Sequence, residues 1–443
     1  MTGAPQLERS IRFLSATAMV VGTIIGASIF VQPSVMTARV PSVAGVLVAW
    51  LAAGALTLLG ALVCAELAAA FPRSGGVYVF LRESCGGAVG FLWGWAMFWS
   101  MHTGIIAAIA MVCGRYLDHL VPMGPLGVKA AAVTAILLLT AVNYGGVGPG
   151  SRVQTVLTLI KVTAVVAIVT VLFGLGAPMG AHFATGAMPA AGSAAHRLGL
   201  AVGAGLFAFG GWHMVTYAGD ETVDAARTIP RALLLGTLLV TACYIALNAA
   251  YLFVLPLEAV AASRSVAADA ATAVLGAGGG KAVSLIVVVS TLGAVNGIIL
   301  TGPRVYYAMA GDGLLFRWFA TVHPRFHTPS RAILLQGIWA CVLVLTGTYE
   351  ELFGRVIYTE WIFFAVMATG LLLLRRRSDW RPPFRLAGGA ALPLVFIAAS
   401  LAVAANQIVS AKKDSAIGLA VVLAGLPVYA LWTRARRRAG GAP

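Results

Sequence analysis

The stretch "LFAFGGWHMVTYAGDET" (Leu206 to Thr222) begins as a buried apolar segment, then places two adjacent glycines and an acidic pair inside it. Glycine weakens a helix because its backbone gives up more freedom on ordering than any other residue's. In lipid the weakness matters more, since a freed backbone group finds no water there. Irregular backbone at membrane depth persists only where it faces protein or a water-filled cavity. A second stretch of this kind, "GTIIGASIF" (Gly22 to Phe30), lies early in the chain. Together the two decide the architecture, provided both stand within membrane spans.

Composition places them there. Of 443 residues, 60% are hydrophobic and 10% charged, and the mean hydropathy is +0.92. A soluble domain of this size shows water more polar surface. Apolar runs of about twenty residues recur along the whole length, as membrane-spanning helices require. About twelve spans are expected, near 11–37, 43–70, 88–117, 125–143, 152–176, 198–218, 231–255, 281–310, 332–348, 354–374, 389–409 and 415–433. The first run continues into a full span instead of ending as a cleavable leader. The expected fold class is an all-α polytopic membrane protein, a single domain over 1–443.

A formal charge of +15 suggests nucleic acid at first sight, but its distribution argues for a membrane. With the N-terminus inside, twenty Lys and Arg fall on cytoplasmic segments, nine on outer loops and one, Lys161, within a span. That bias sets both termini in the cytoplasm. "RRRSDWRPPFR" and "RARRR" supply nine of the twenty, as juxtamembrane anchors to anionic lipid do. No nucleic-acid partner is expected. The five cysteines are scattered, with no CxxC and no Cys/His cluster, so neither a metal, a cofactor nor a disulfide framework is indicated.

Most of the 51 glycines are accounted for by close helix packing. Breaks in spans 1 and 6 are different, because five spans separate corresponding features. That interval is expected of two five-helix halves of inverted topology, 11–176 and 198–374, with two further helices at 389–433. At each break one half-helix offers N–H groups with partial positive charge and the other offers carbonyls. A zwitterion suits such a site: its carboxylate takes the N–H groups and its ammonium the carbonyls.

With these breaks in place, "GTIIGASIF", "AELAAAFPRSGGVYVFLRE", "GFLWGW", "LFAFGGW", "DETVDAARTIPRA" and "GAVNGIILTGPRVYYAMAGDGLL…HP" resemble the amino acid–polyamine–organocation (APC) transporter superfamily. The likeness is greatest to its L-amino-acid transporter (LAT) family and runs from about Leu14 to Arg385. It implies a LeuT-like 5+5 inverted-repeat fold with discontinuous helices 1 and 6. It also implies sodium-independent alternating-access transport of L-amino acids across the inner membrane, by exchange or, alternatively, by proton-coupled symport or export. Carried over, it puts the substrate carboxylate on amides near Ala27 and Ser28, with Gly26 also in the substrate site. The amino group falls to carbonyls of Ile24 and Phe207, with Ala208, Gly210 and Trp212 alongside, and Phe207 also closes over the substrate as an aromatic gate. Ser28, Phe209, His213 and Glu360 depart from the family's usual residues, which bears on which substrate is carried. Eukaryotic members attach to a single-span glycoprotein through a cysteine after span 3. "GRYLDHLVPMGPLGVK" has none, so no disulfide-linked heavy subunit is expected.

Ionisable residues within spans are functional candidates by default. Lys161 is expected as a structural cation or proton site between spans 1 and 8, where sodium-coupled relatives of the fold hold a cation. Snorkelling is the alternative, though Lys161 lies roughly 15 Å along the helix from Arg152. His213 and Glu360 are read as pocket residues able to exchange protons, with His102, Asn296, Tyr358 and Trp361 as gating or pocket residues. Asp220 and Glu221 are expected near the cytoplasmic mouth, solvated and paired with Arg227 or Arg231. Glu66 is expected to pair with a basic residue of the following loop. No enzyme is expected: HExxH and GxSxG are absent, and "GAGGGK" lacks both the first glycine and the Ser/Thr of a phosphate loop. A nutrient sensor would need a signalling domain, which termini this short do not supply.

Overall fold

The computed structural model describes residues 7–26, 28–177, 193–263, 265–347, 357–410 and 412–438. Among them every named element is helical. Among the described residues, nine helices are long and apolar enough to cross a membrane: Val43–Ala70, Gly87–Leu120, Gly124–Tyr144, Val147–Leu175, Ala194–Glu221, Ala225–Val254, Ala277–Gly311, Ala391–Ser410 and Ser415–Arg436. In chain order these are spans 2 to 8, 11 and 12. Shorter apolar helices, Phe13–Ile24, Ser330–Thr346 and Tyr358–Leu374, fill the places of spans 1, 9 and 10. The chain is a multi-pass membrane protein. Span 1 is short because it stops at its break. Two further short helices, Leu257–Ala262 and Val266–Leu275, occupy the connection between spans 7 and 8.

Span 7, expected near 231–255, starts at Ala225. Pro230 stands in the second turn, where the loss of one hydrogen bond near a helix end is tolerated. Spans approach closely through small residues. A Cβ on Gly236 of span 7 would lie 2.6 Å from Val20 Cγ1 of span 1, and one on Gly54 of span 2 would lie 2.5 Å from Thr241 Cγ2. Without a hydrophobic force between helices in lipid, such backbone proximity holds the bundle. Span 3 contains a π-type turn at Met97–Met101. Its loosened carbonyls are met by Thr103 Oγ1, 2.7 Å from Phe98 O, and by Trp339 Nε1, 3.3 Å from Trp99 O.

Candidate functional site

Span 1 ceases to be α-helical after Ile24. Ile25 turns away at φ −71° and ψ 87°, Gly26 lies in a bend, and a 3-10 turn, Ser28–Phe30, leads into the helix Gln32–Arg39. Ala27 lies outside the described residues. Span 6 is α-helical over Ala194–Ala208 and resumes in 3-10 geometry over Trp212–Glu221, with Gly211 between at φ +94°. That left-handed angle favours glycine. A Cβ there would also stand 3.2 Å from the Thr23 carbonyl oxygen, a tight approach that adds to the preference for glycine.

The two breaks touch. Thr23 Oγ1, which donates to Met19 O of its own helix at 2.7 Å, lies 3.2 Å from Gly211 O. Tyr244 of span 7 clips them from behind: its hydroxyl lies 2.8 Å from Ile24 O and 3.0 Å from Ala208 O, one hydrogen shared between two carbonyls that the breaks release. A buried tyrosine hydroxyl within a span needs such partners.

Lys161 does the same for the far face of span 1. Its Nζ donates to Gly22 O at 2.8 Å and to Ile25 O at 2.7 Å. In an unbroken helix those carbonyls would be taken by the amides of Gly26 and Ile29. Span 8 makes room with Gly293, where a Cβ would lie 2.7 Å from Lys161 Cε.

Between the breaks is a cavity of about 30 Å³, measured to the centre of a water-sized sphere, enough for roughly two waters at ~10–15 Å³ each. Span 1 lines it with Thr23, Ile24, Gly26 and Ser28, and span 6 with residues from Leu206 to Met214, including Phe207, Ala208, Gly210 and Gly211. Ile105 and Ile109 of span 3, Ile298 of span 8, and Glu360 and Trp361 of span 10 complete the wall. One end is therefore bare backbone with split-helix dipoles. The other is apolar apart from a single carboxylate.

Two unwound turns in contact, in the first and sixth spans of a twelve-span bundle, are a particular arrangement, and the whole sequence carries its signature. The chain matches the family described as "Amino acid permease" over residues 11–431. The chain belongs to the amino acid permease family. It is similar to the serine/threonine exchanger SteT of Bacillus subtilis (strain 168), 32% identical over 96% of each chain. It is also similar to the large neutral amino acids transporter small subunit 2 of Homo sapiens, 31% identical over 97% of this chain and 81% of the relative. The b(0,+)-type amino acid transporter 1 of Mus musculus is 30% identical over 96% and 88%. A transporter, and not an enzyme, is what this membership makes it.

Of the residues expected at the site, Ile24, Gly26, Ser28, Phe207, Ala208, Gly210, Glu360 and Trp361 face the cavity. Others stand elsewhere. His213 is fully buried behind the wall, ringed by Trp93, Trp212, Tyr217 and Phe364 at centroid distances of 4.9 to 5.9 Å. Its Nε2 is 3.7 Å from Glu360 Oε1. Trp212 packs on Phe364. His102 lies deeper, with Nδ1 3.4 Å from Tyr306 Oη. Asn296 faces away from the cavity: it bonds Asn143 at 2.8 Å and Gln154 at 3.0 Å, a polar knot among spans 4, 5 and 8. Tyr358 donates to Ser415 O of span 12, so it braces the bundle instead of shaping the pocket. Sequence reasoning missed Thr23 and Tyr244. A hydroxyl in mid-span was the signal for each.

Two charge expectations are overturned. Glu221 is not solvated. It is fully buried, and both its oxygens accept from Arg304 of span 8 at 2.9 and 3.0 Å. The 3-10 half of span 6, Trp212–Glu221, ends with this carboxylate against span 8. Arg227 pairs instead with Asp224, loosely at 3.9 Å, and Asp220 accepts from the Ser74 amide at 3.1 Å. Glu66 likewise takes its guanidinium from Arg375 at the end of span 10, not from its own loop, and adds Trp380 Nε1 at 3.0 Å and the Leu386 amide at 2.8 Å.

These contacts seal the side of the bundle that bears the termini. The Ser10 and Ile11 amides donate to Glu221 O at 3.0 and 2.9 Å, and the Gly75 amide donates to Tyr217 O at 3.1 Å. Gly219 lies so near the Arg73 backbone that a Cβ would fall 2.6 Å from it. Among the described residues no group of three His, Cys, Asp or Glu is placed to hold a metal ion.

Proposed function

We propose that the chain exchanges L-amino acids across the cytoplasmic membrane by alternating access, without sodium, and that the cavity between the breaks is the substrate site. The observation that carries this reading is the contact of two split helices around a small cavity. A zwitterion's carboxylate finds amides at Gly26 and Ser28, and its ammonium finds carbonyls on the Ile24 and Phe207 side. The Ile24 oxygen already accepts from Tyr244, and the Phe207 oxygen from the Gly210 amide at 2.9 Å. A carbonyl oxygen has two lone pairs, so the Ile24 oxygen can accept from the substrate as well as from Tyr244. Phe207, half-buried at the wall, is the proposed gate.

The Lys161 amino group supports sodium independence, because it occupies the carbonyls beside span 8 that a coupling cation would use. Names of the relatives support amino acid cargo: one is a serine/threonine exchanger, another a large neutral amino acid transporter. The halves 11–176 and 198–374 act as inverted repeats in this reading, with both termini cytoplasmic, as the Lys and Arg bias supports. No disulfide-linked subunit is proposed, in keeping with a span 3–4 connection free of cysteine.

Counterflow tests the function. Purified protein in liposomes loaded with unlabelled amino acid should take up labelled amino acid, with no response to sodium. Efflux and uptake that ignore the trans amino acid for all twenty candidates would defeat the exchange reading.

A further inference from the structure

A second cavity, apart from the one between the breaks, opens beside spans 3 and 9. It measures about 370 Å³ to the centre of a water-sized sphere, against about 30 Å³ at the breaks. Trp95 and Trp99 of span 3 form one wall and Ile338 and Trp339 of span 9 the other. The segment after span 8 adds Phe316 and Phe319 at the end near the C-terminal helix, where the Phe316 ring lies 4.6 Å from Trp432. The mouth faces lipid, since Phe316 is 61% and Ile338 55% exposed.

The walls offer water little. Trp95 Nε1 is spent on Val421 O of span 12 at 2.8 Å, and Trp339 Nε1 on Trp99 O at 3.3 Å. A cavity keeps water only where polar partners await it, and an apolar one stands empty or takes an apolar guest. The same bonds pin both indoles, so neither ring is free to turn inward and fill the space. Trp99 meets Trp339 edge to face at 5.1 Å, which props spans 3 and 9 apart. Left empty, the slot forfeits dispersion contacts along its whole lining. Hydrocarbon chains of the bilayer stand at its mouth.

The rim beyond the slot is basic. From Gly313 to Thr346 the sequence carries three arginines, Arg317, Arg325 and Arg331, and no Asp or Glu. Arg317 directly follows Phe316, is exposed, and makes no ion pair among the described residues. Arg331 lies over the Trp318 ring at 5.2 Å, and its Nη1 donates to the neutral Thr321 Oγ1 at 3.1 Å. Trp318 is itself half-exposed, as tryptophans at a membrane interface are. The nearest acid along the chain, Asp312, is already taken by Tyr78 and Arg82.

We propose that this groove binds one anionic phospholipid from the leaflet on the terminal side, with an acyl chain in the aromatic slot and the phosphate on Arg317 and Arg331. Guanidinium groups match phosphate oxygens in charge and in donor geometry. The pinned rings give the chain a preformed surface, so little ordering of the protein is spent on binding. A zwitterionic phospholipid fits the slot but not the uncompensated charge of the rim. Span 3 also carries Ile105 and Ile109 to the cavity between the breaks, so the bound chain braces that helix from the lipid side.

The test is native mass spectrometry of the full-length protein, stripped of co-purified lipid by detergent exchange. It is titrated with phosphatidylglycerol or phosphatidylcholine bearing the same dioleoyl chains. One phosphatidylglycerol should bind, about tenfold more tightly than phosphatidylcholine. Arg317→Gln combined with Arg331→Gln should erase that preference, whereas Arg227→Gln, an exposed arginine elsewhere, should keep it. Ile338→Trp puts an indole into the slot and should weaken both lipids by about fivefold or more. Should that variant not fold, the arginine pair, which lies outside the core, decides alone. Equal binding of the two lipids by the wild type overturns the proposal. So does an undiminished preference in the arginine pair, or full binding by folded Ile338→Trp. Displacement of the lipid by excess glycerol 3-phosphate, which lacks a chain, would assign binding to the headgroup alone and overturn the slot. A particle of two chains that excludes lipid would give the groove to a second copy and overturn it as well.

Discussion

Lys161→Met keeps the stem of the side chain and removes its donors. Two carbonyls, Gly22 O and Ile25 O, then lose the group that meets them at 2.8 and 2.7 Å. Leaving a buried acceptor unmet costs ~1–3 kcal/mol, so the pair costs roughly 2–6 kcal/mol. Span 1 escapes part of that cost by rewinding toward a continuous helix, in which its own amides take the carbonyls. Rewinding removes the bend that lets Gly26 and Ser28 face the cavity. Transport should therefore fall more than stability does. A free-energy loss of ~2 kcal/mol in the binding-competent form already lowers activity about 30-fold. Counterflow in liposomes and thermal unfolding in detergent, run on the same preparation, separate the two effects. The expected result is at least a tenfold loss of counterflow with a melting temperature lowered by several degrees. A Lys161→Met protein that exchanges amino acids at the wild-type rate would refute the claim that this lysine holds the break open.

Gly293→Ala should mimic that defect from span 8, because its Cβ would fall 2.7 Å from Lys161 Cε and 3.0 Å from Leu157 Cβ; a counterflow assay reads it. Tyr244→Phe removes the hydroxyl shared by Ile24 O and Ala208 O, and the cost of ~1–3 kcal/mol should appear as a raised KM and a lowered melting temperature. Arg304→Ala leaves Glu221 buried without its guanidinium, a loss of about 3–5 kcal/mol that thermal unfolding should record, whereas the double replacement Glu221→Gln with Arg304→Gln should recover part of it. Gly219→Ala drives a Cβ to 2.6 Å from the Arg73 backbone, so the terminal side can no longer close, and a cysteine placed on span 6 below the cavity should become more reactive to a thiol reagent from that side.

What could be read from the sequence follows the physics of each signal. The spans were readable because apolar length is a local property, and the breaks because Gly210–Gly211 and Gly22–Gly26 interrupt runs that lipid would otherwise keep helical. Lys161 stood out for the same reason: a charge amid apolar neighbours has to have a purpose. Partner choice was the hidden part. Glu221 turned from an expected surface acid into the buried partner of Arg304, 83 residues away, because the 3-10 half of span 6 redirects it. Glu66 takes Arg375 over Arg73 of its own loop because span 10 ends beside it. Asn296 and Tyr358 are expected at the pocket, but helix rotation, which no spacing in this sequence fixes, turns them elsewhere.

The measurement that bears most directly on the binding claim is a density map of the protein with a transported amino acid bound. The carboxylate should lie within hydrogen-bond reach of the Gly26 and Ser28 amides, the amino group toward the Ile24 and Phe207 carbonyls, and the side chain toward Trp361 and Glu360. An amino acid seated away from both unwound turns, or spans 1 and 6 running as continuous helices in the loaded protein, would contradict it.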